Sequence, residues 1–243
     1  MKILIIRHAE PDYEHDTLTE KGWREAEYLS EYMKNIPVDA YYVSPLGRAQ
    51  DTASLTLKKV NSNATTLEWL KEFHSPIKRP DKNGQYANTW DWLPEDWTKE
   101  DLYFDKDKWY TTDIMSNDNV KKTYDWVCDG LDEILLKHGY KRHKNYYEAI
   151  EANNDTIVFF CHFGLEGVLL SHLLNISPMC IWHGTVALPS SITTLATEER
   201  RENIAYFRMS SFGATPHLYV NNEPESFHAR FCECYKNENE RHD

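Results

Sequence analysis

The sequence predicts an α/β fold: a three-layer, doubly wound, mostly parallel sheet with helices on both faces and an inserted cap. Three observations carry that expectation. Residues 2–6 (KILII) and 156–161 (TIVFFC) are continuous apolar runs, as central parallel strands covered on both faces require. Each is followed by a short turn and then a helix-forming stretch, the strand-turn-helix order that builds parallel sheets. Between residues 74 and 118 this regularity stops, which marks an insertion.

Taken in order, residues 2–6 form the first strand. A helix opens at 18–22 (LTEKG), where Thr19 can cap free N–H groups; Trp23, Ala26, Leu29 and Met33 recur at helical spacing, and Pro37 ends it. A short strand at 40–43 (AYYV), a Ser44-Pro45 turn and a helix at 47–59 with Ala49, Ala53 and Leu57 inward make a second β-α unit. Residues 65–70 read as a strand running into Lys71-Glu72-Phe73. The insert at 74–118 holds Trp90, Trp92, Trp97 and Trp109, half of the chain's eight tryptophans, among the turn formers Pro76, Pro80, Gly84 and Pro94. Such rings suit the core of a small cap better than a platform for a sugar or nucleobase. Val120, Tyr124, Val127, Leu131 and Ile134 are spaced 4, 3, 4 and 3, an amphipathic helix that stops at Gly139. After the strand at 156–161 comes a largely apolar helix at 164–174 (GLEGVLLSHLL). Residues 192–197 and 203–209 read as later strands, and the polar tail from Asn237 as frayed. The expected organisation is one domain over 1–243 with the cap at 74–118 inside it.

Composition narrows the function classes. A chain of 243 residues can bury a sizeable core, and no apolar run approaches the ~18 residues that span a bilayer. Residues 3–6 are too short for the apolar segment of a signal peptide, so the expected compartment is the cytoplasm. Five cysteines, an odd number in a long chain, argue against a disulfide framework. Cys232-Glu233-Cys234 lacks a second ligand pair at finger-like spacing and reads as two free thiols, so no metal site is expected. A net charge of −12 argues against nucleic acid and anionic membrane as partners, because both demand a basic face. An anionic substrate must therefore be held by a local cluster.

Three strand tips supply that cluster. Arg7-His8-Ala9-Glu10, Ser44-Pro45-Leu46-Gly47-Arg48-Ala49 and Cys161-His162-Phe163-Gly164 each follow an apolar strand, where ligands of open α/β sheets bind. A neutral imidazole at His8 can attack phosphorus and carry the phosphoryl group covalently. Arg7 and Arg48 suit the equatorial oxygens, since phosphoryl transfer is largely positioning and charge stabilisation. His162 is the opposing imidazole, protonated when phosphate is bound, and Phe163 beside it is counted with Arg7, His8, Arg48 and His162 among the phosphate-binding residues. Departure of an alkoxide needs a general acid; Glu72, where strand gives way to loop, is preferred over Glu68. Taken singly, each has a plain alternative: a histidine satisfying a carbonyl, an arginine in a surface ion pair, a solvated acid. Together they describe one phosphate pocket. His183, in Trp182-His183-Gly184, reads as structural.

With these residues placed, the chain resembles the histidine phosphatase superfamily, which includes cofactor-dependent phosphoglycerate mutases and many broad phosphomonoesterases. The resemblance spans roughly 1–75 and 119–220. The family's Arg-His-Gly-Glu is similar to Arg7-His8-Ala9-Glu10, and its Ser-Pro-x-x-Arg-Ala-x-x-Thr-Ala to residues 44–53 (SPLGRAQDTA). Its second histidine resembles His162-Phe163-Gly164, and its Leu-x-Glu acid resembles Leu70-Lys71-Glu72. The resemblance implies a doubly wound α/β fold, a phosphohistidine on His8 and no metal requirement. Ala9 and Phe163 stand where the family has glycine, and Pro11-Asp12-Tyr13 replaces the mutase-like Thr-x-Trp-Asn. The expected function is a metal-independent phosphatase that needs no cofactor and acts on a small phosphomonoester. The alternatives are a phosphomutase, disfavoured by ten acids against six Lys+Arg in 74–118, and an inactive module that binds a phosphorylated ligand. The leaving group and the oligomeric state stay open.

Overall fold

The computed structural model of the chain describes residues 1–116, 119–228, 231–234 and 237–241. The first part of the chain forms β1 (Lys2–Arg7), α1 (Glu20–Met33), β2 (Ala40–Val43), α2 (Gly47–Val60) and β3 (Ala64–Thr66). After the insert come α3 (Val120–Lys137), β4 (Tyr140–His143), β5 (Tyr146–Ala149), β6 (Thr156–Cys161), α4 (Phe163–Leu174), α5 (Pro178–Gly184), β7 (Ile192–Arg201) and β8 (Ile204–Ala214). These strands form one sheet in the order β3-β2-β6-β1-β7-β8-β5-β4. The four strands from β3 to β1 run parallel, and the remaining four continue the sheet antiparallel.

Burial on both faces explains the unbroken apolar runs. Ile3, Ile5, Ile157 and Phe159 face a core shared with α3, α4 and α5. Their neighbours Leu4, Ile6, Val158 and Phe160 face Leu29, Met33, Ala49 and Ala53 of α1 and α2. The expected three layers are present. Thr19 caps α1 by accepting the Gly22 N–H at 3.0 Å. Gly22 is required there, because a Cβ would lie 2.2 Å from the Glu10 carbonyl oxygen.

Several elements differ from expectation. Trp23 is 38% exposed, leaving Ala26, Leu29 and Met33 as the apolar face of α1. The strand expected over 65–70 ends at Thr66 and gives way to a 3-10 turn at Glu68–Leu70, which buries the adjacent Trp69 and Leu70 on one side, as strand alternation cannot. Glu68 is therefore exposed rather than mid-strand. The β4–β5 hairpin was not anticipated, because Lys144 takes the left-handed turn position (φ 53°) where glycine or asparagine is the usual signal. The expected fraying from Asn237 is corrected over 237–241, which pair with Glu233–Cys234; residues 242–243 lie outside the described residues.

The segment from 74 to 116 contains short strands Ile77–Lys78 and Tyr86–Ala87 and helical turns at Pro94–Trp97, Asp101–Phe104 and Trp109–Thr111. Aromatic contacts hold it to the body. Buried Trp109 meets Trp182 of α5 edge-on at 5.7 Å and Tyr124 of α3 at 5.2 Å.

Candidate active site

The tips of β1, β2 and β6 end level with one another. Arg7 pairs with Cys161 across the β1–β6 ladder, the His8 N–H donates to the Cys161 carbonyl at 2.9 Å, and the Ser44 N–H donates to the Phe160 carbonyl at 2.9 Å. This register brings His8 and His162 together, with ring centroids 5.1 Å apart and planes inclined at 55°. Both rings are buried.

Hydrogen bonds fix the two imidazoles in different roles. His8 Nδ1 lies 2.8 Å from the Ala9 carbonyl, which can only accept, so Nδ1 carries the proton and Nε2 keeps its lone pair. Ala9 does not have a positive φ, and alanine therefore stands in for glycine without strain. His162 Nε2 lies 2.7 Å from Ser44 Oγ, which already accepts the Leu46 N–H at 3.2 Å. Donation of the Ser44 proton to Nε2 would place the ring proton on His162 Nδ1, which has no hydrogen-bond partner among the described residues. Burial, then the neighbouring charges, hold both imidazoles well below their ordinary pKa: Arg7 and Arg48 act on His8, and His8, Arg48 and Arg7 on His162. Both are neutral at pH 7.

The two guanidinium groups are braced from outside. Arg7 Nη1 donates to the Ala187 carbonyl, and its Cζ lies 5.8 Å from the Phe163 ring. Arg48 Nη1 donates to Asp16 Oδ1 at 2.5 Å, while Asp16 Oδ2 accepts the Gly47 N–H at 2.7 Å and so caps α2 from thirty-one positions away. Phe163 meets Arg7 with an apolar face and offers no polar side-chain atom.

Glu72 joins this group. Its Oε1 accepts the Phe73 N–H at 2.8 Å and the Leu165 N–H at 3.0 Å, which ties the loop after β3 to the first turn of α4. Burial raises its pKa, opposed by those N–H groups and the two arginines. Trp90 and Glu72 close over Gly164, where a Cβ would lie 2.4 Å from Trp90 Nε1 and 2.7 Å from Glu72 Oε1. The sequence-derived set of Arg7, His8, Arg48, Glu72, His162 and Phe163 is therefore brought together, while Glu68 is not.

Further residues share the site. Tyr13, 60% exposed, lies 5.4 Å under Arg48 and hydrogen-bonds Arg7; its only sequence signal is its place after the first motif. Asp16 carried no signal, because its partners are distant in sequence. Glu166, buried one turn into α4, has its carboxyl pushed up to about 7 by burial, against Thr193 and Arg7. Its position inside an apolar helix is the signal that composition alone hides. His183 donates through Nδ1 to the Met179 carbonyl at 2.7 Å and accepts the Trp92 N–H through Nε2 at 3.0 Å.

The profile of the histidine phosphatase superfamily (branch 1) matches residues 3–104. A 2,3-bisphosphoglycerate-dependent phosphoglycerate mutase of Thermoplasma acidophilum is 33% identical over 99 residues, covering 36% of this chain and half of that relative. Among solved structures, phosphoserine phosphatase of Entamoeba histolytica superposes with TM-score 0.57 at 22% identity, over 89% of this chain and 98% of that one. A mycobacterial glucosyl-3-phosphoglycerate phosphatase gives 0.59 at 16% identity, over 88% and 98%. The alpha-ribazole phosphatase of Shigella flexneri gives 0.54 at 18% identity, over 88% and 97%. These likenesses establish the shared fold.

Proposed function

From the match of residues 3–104 to the histidine phosphatase superfamily, we propose that this chain is a metal-independent phosphatase acting on a small phosphomonoester through a phosphohistidine on His8. One observation carries it: the Ala9 carbonyl holds the His8 proton on Nδ1, leaving Nε2 as a nucleophile beside His162.

In the first step the Nε2 lone pair bonds to phosphorus as the ester P–O bond breaks, and the departing oxygen takes the proton of Glu72. Oε1 of Glu72 is held by two backbone N–H groups, so Oε2 handles that proton. In the second step the Glu72 carboxylate takes a proton from water, the oxygen bonds to phosphorus and the N–P electron pair returns to Nε2. Arg7, Arg48 and the unpaired Nδ1–H of His162 bind the equatorial oxygens, each donor contributing roughly 10²-fold or more in rate. The N-terminus of α4 adds its dipole.

Segment 74–118 serves as the cap of a single domain, and its ten acids against six Lys+Arg speak against the bisphosphorylated ligand of a mutase. Among the described residues no helix is long and apolar enough to cross a membrane. A small phosphorylated molecule in the cytoplasm is the partner proposed. The test is turnover of an aryl phosphate in excess chelator, with acid-quenched enzyme assayed for labile phosphate. His8→Ala abolishes both; a variant that keeps either one overturns the nucleophile.

A further inference from the structure

Beside the phosphate pocket lies a recess of about 330 Å³, lined by Trp92, Trp97, Trp182, His183, Val186 and Phe231 among others, within the lower range of small-molecule sites. The two spaces share a wall. Phe231 packs 5.0 Å from Phe163, whose ring meets Arg7, and Val186 precedes the Ala187 carbonyl that Arg7 binds. An ester held by Arg7 would therefore direct its alcohol portion past Phe163 toward this recess.

Chemistry of the lining selects the occupant. Among the described residues, no lysine or arginine lines the recess, and Asp91 stands at its rim. Both nitrogens of His183 are bonded within the protein, and burial holds its pKa at about 4, so it presents a neutral face stacked on Trp97 at 4.9 Å and 20°. A carboxylate or second phosphate would meet no cation among the described lining residues, since nearby Arg79 is engaged by Asp81 and by the Trp90 and Asp91 carbonyls, and it would face Asp91. A flat ring would meet ring faces and edges at close range.

Resting on the phosphatase assignment for the neighbouring pocket, we propose that this recess binds the leaving group and that the preferred substrate is a monophosphate ester of an alcohol bearing a planar, uncharged aromatic ring. The experiment separates binding from turnover with non-hydrolysable phosphonates, titrated by tryptophan fluorescence. 2-Naphthylmethylphosphonate is expected to bind about tenfold more tightly than 3-phosphonopropanoate, and more tightly than cyclohexylmethylphosphonate. Both preferences should collapse to within about twofold in Trp97→Ala, which removes a stacking face, and in Val186→Phe, which fills the space. Equal or tighter binding of the carboxylate compound, a preference that persists in both variants, or no binding of any phosphonate overturns the proposal. Aromatic selectivity without hydrolysis of 2-naphthylmethyl phosphate would leave the recess intact and remove the phosphatase. Hydrolysis without selectivity would do the reverse.

Discussion

Gly164→Ala isolates the contribution of Glu72 by displacing its carboxyl without replacing any reacting group. The added methyl would sit 2.4 Å from Trp90 Nε1 and 2.7 Å from Glu72 Oε1, well inside ordinary contact. The indole and the carboxylate must each retreat by up to about 1 Å. Overpacking of this kind costs about 1–3 kcal/mol, and alanine in place of glycine in a helix returns about 1 kcal/mol. The net loss of roughly 0–2 kcal/mol lowers the melting temperature by at most about 8 °C, so the variant folds. Catalysis is more sensitive, because a displacement of ~1 Å in a positioned group can cost about 10²-fold. The assay compares kcat/KM for an alkyl phosphate, whose alkoxide needs a proton to leave, with that for p-nitrophenyl phosphate, whose phenolate leaves without one. The expected loss is about 10²-fold for the alkyl ester and under about tenfold for the nitrophenyl ester. A folded variant with wild-type alkyl turnover, or with equal losses on the two esters, refutes the placement of Glu72 as the acid.

Ser44→Ala removes the hydroxyl that fixes the His162 tautomer and should lower kcat/KM about 10- to 100-fold while the phosphohistidine still forms, as rapid acid quench will report. Glu166 has a folded pKa of about 7 against an ordinary 4.5, so its stabilising contribution is complete below pH ~4.5 and is lost as pH rises through 7. Glu166→Gln should therefore flatten the decline in urea-unfolding free energy from pH 5 to pH 8 by up to about 3 kcal/mol; an unchanged slope would discard that assignment. Phosphate binding at pH 7 should take up a proton, because a dianion beside His162 favours the charged form that burial first, and then His8, Arg48 and Arg7, disfavour. Calorimetry in buffers of different ionisation enthalpy measures that uptake, and binding enthalpies independent of buffer would contradict it.

The parts legible in the sequence are those whose physics is local. Residues 3–6 and 156–161 announce central strands because each residue is buried whichever face it points to, and the strand tips announce the site because open sheets bind ligands there. Arg7, His8, Arg48 and His162 each sit at or just past such a tip. The 68–70 turn is not legible because Trp69 and Leu70 are apolar in either conformation, and Gly130, which leaves room for the Trp69 indole, lies sixty-one positions away. Asp16 was missed for a similar reason. Nothing near it in sequence shows that its carboxylate will cap α2 and grip Arg48. Tyr13, an exposed aromatic in a loop, acquires meaning only from the two arginines it meets.

These distant contacts also explain how a chain of net charge −12 holds an anion. Two buried or half-buried guanidinium groups in one pocket repel each other, and their partners offset that charge unequally. Asp16 grips Arg48 from the rim, Glu72 and Glu166 approach Arg7 as acids whose own burial favours the protonated form, and Ala187 and Tyr13 contribute oxygen dipoles without full charge. Positive potential therefore survives inside the pocket, and burial first, with that potential behind it, keeps the two histidines neutral. A nucleophile with a free lone pair and a field awaiting a phosphate follow from the same arrangement: His8 stays neutral to attack, and charging His162 becomes favourable only after the anion has arrived.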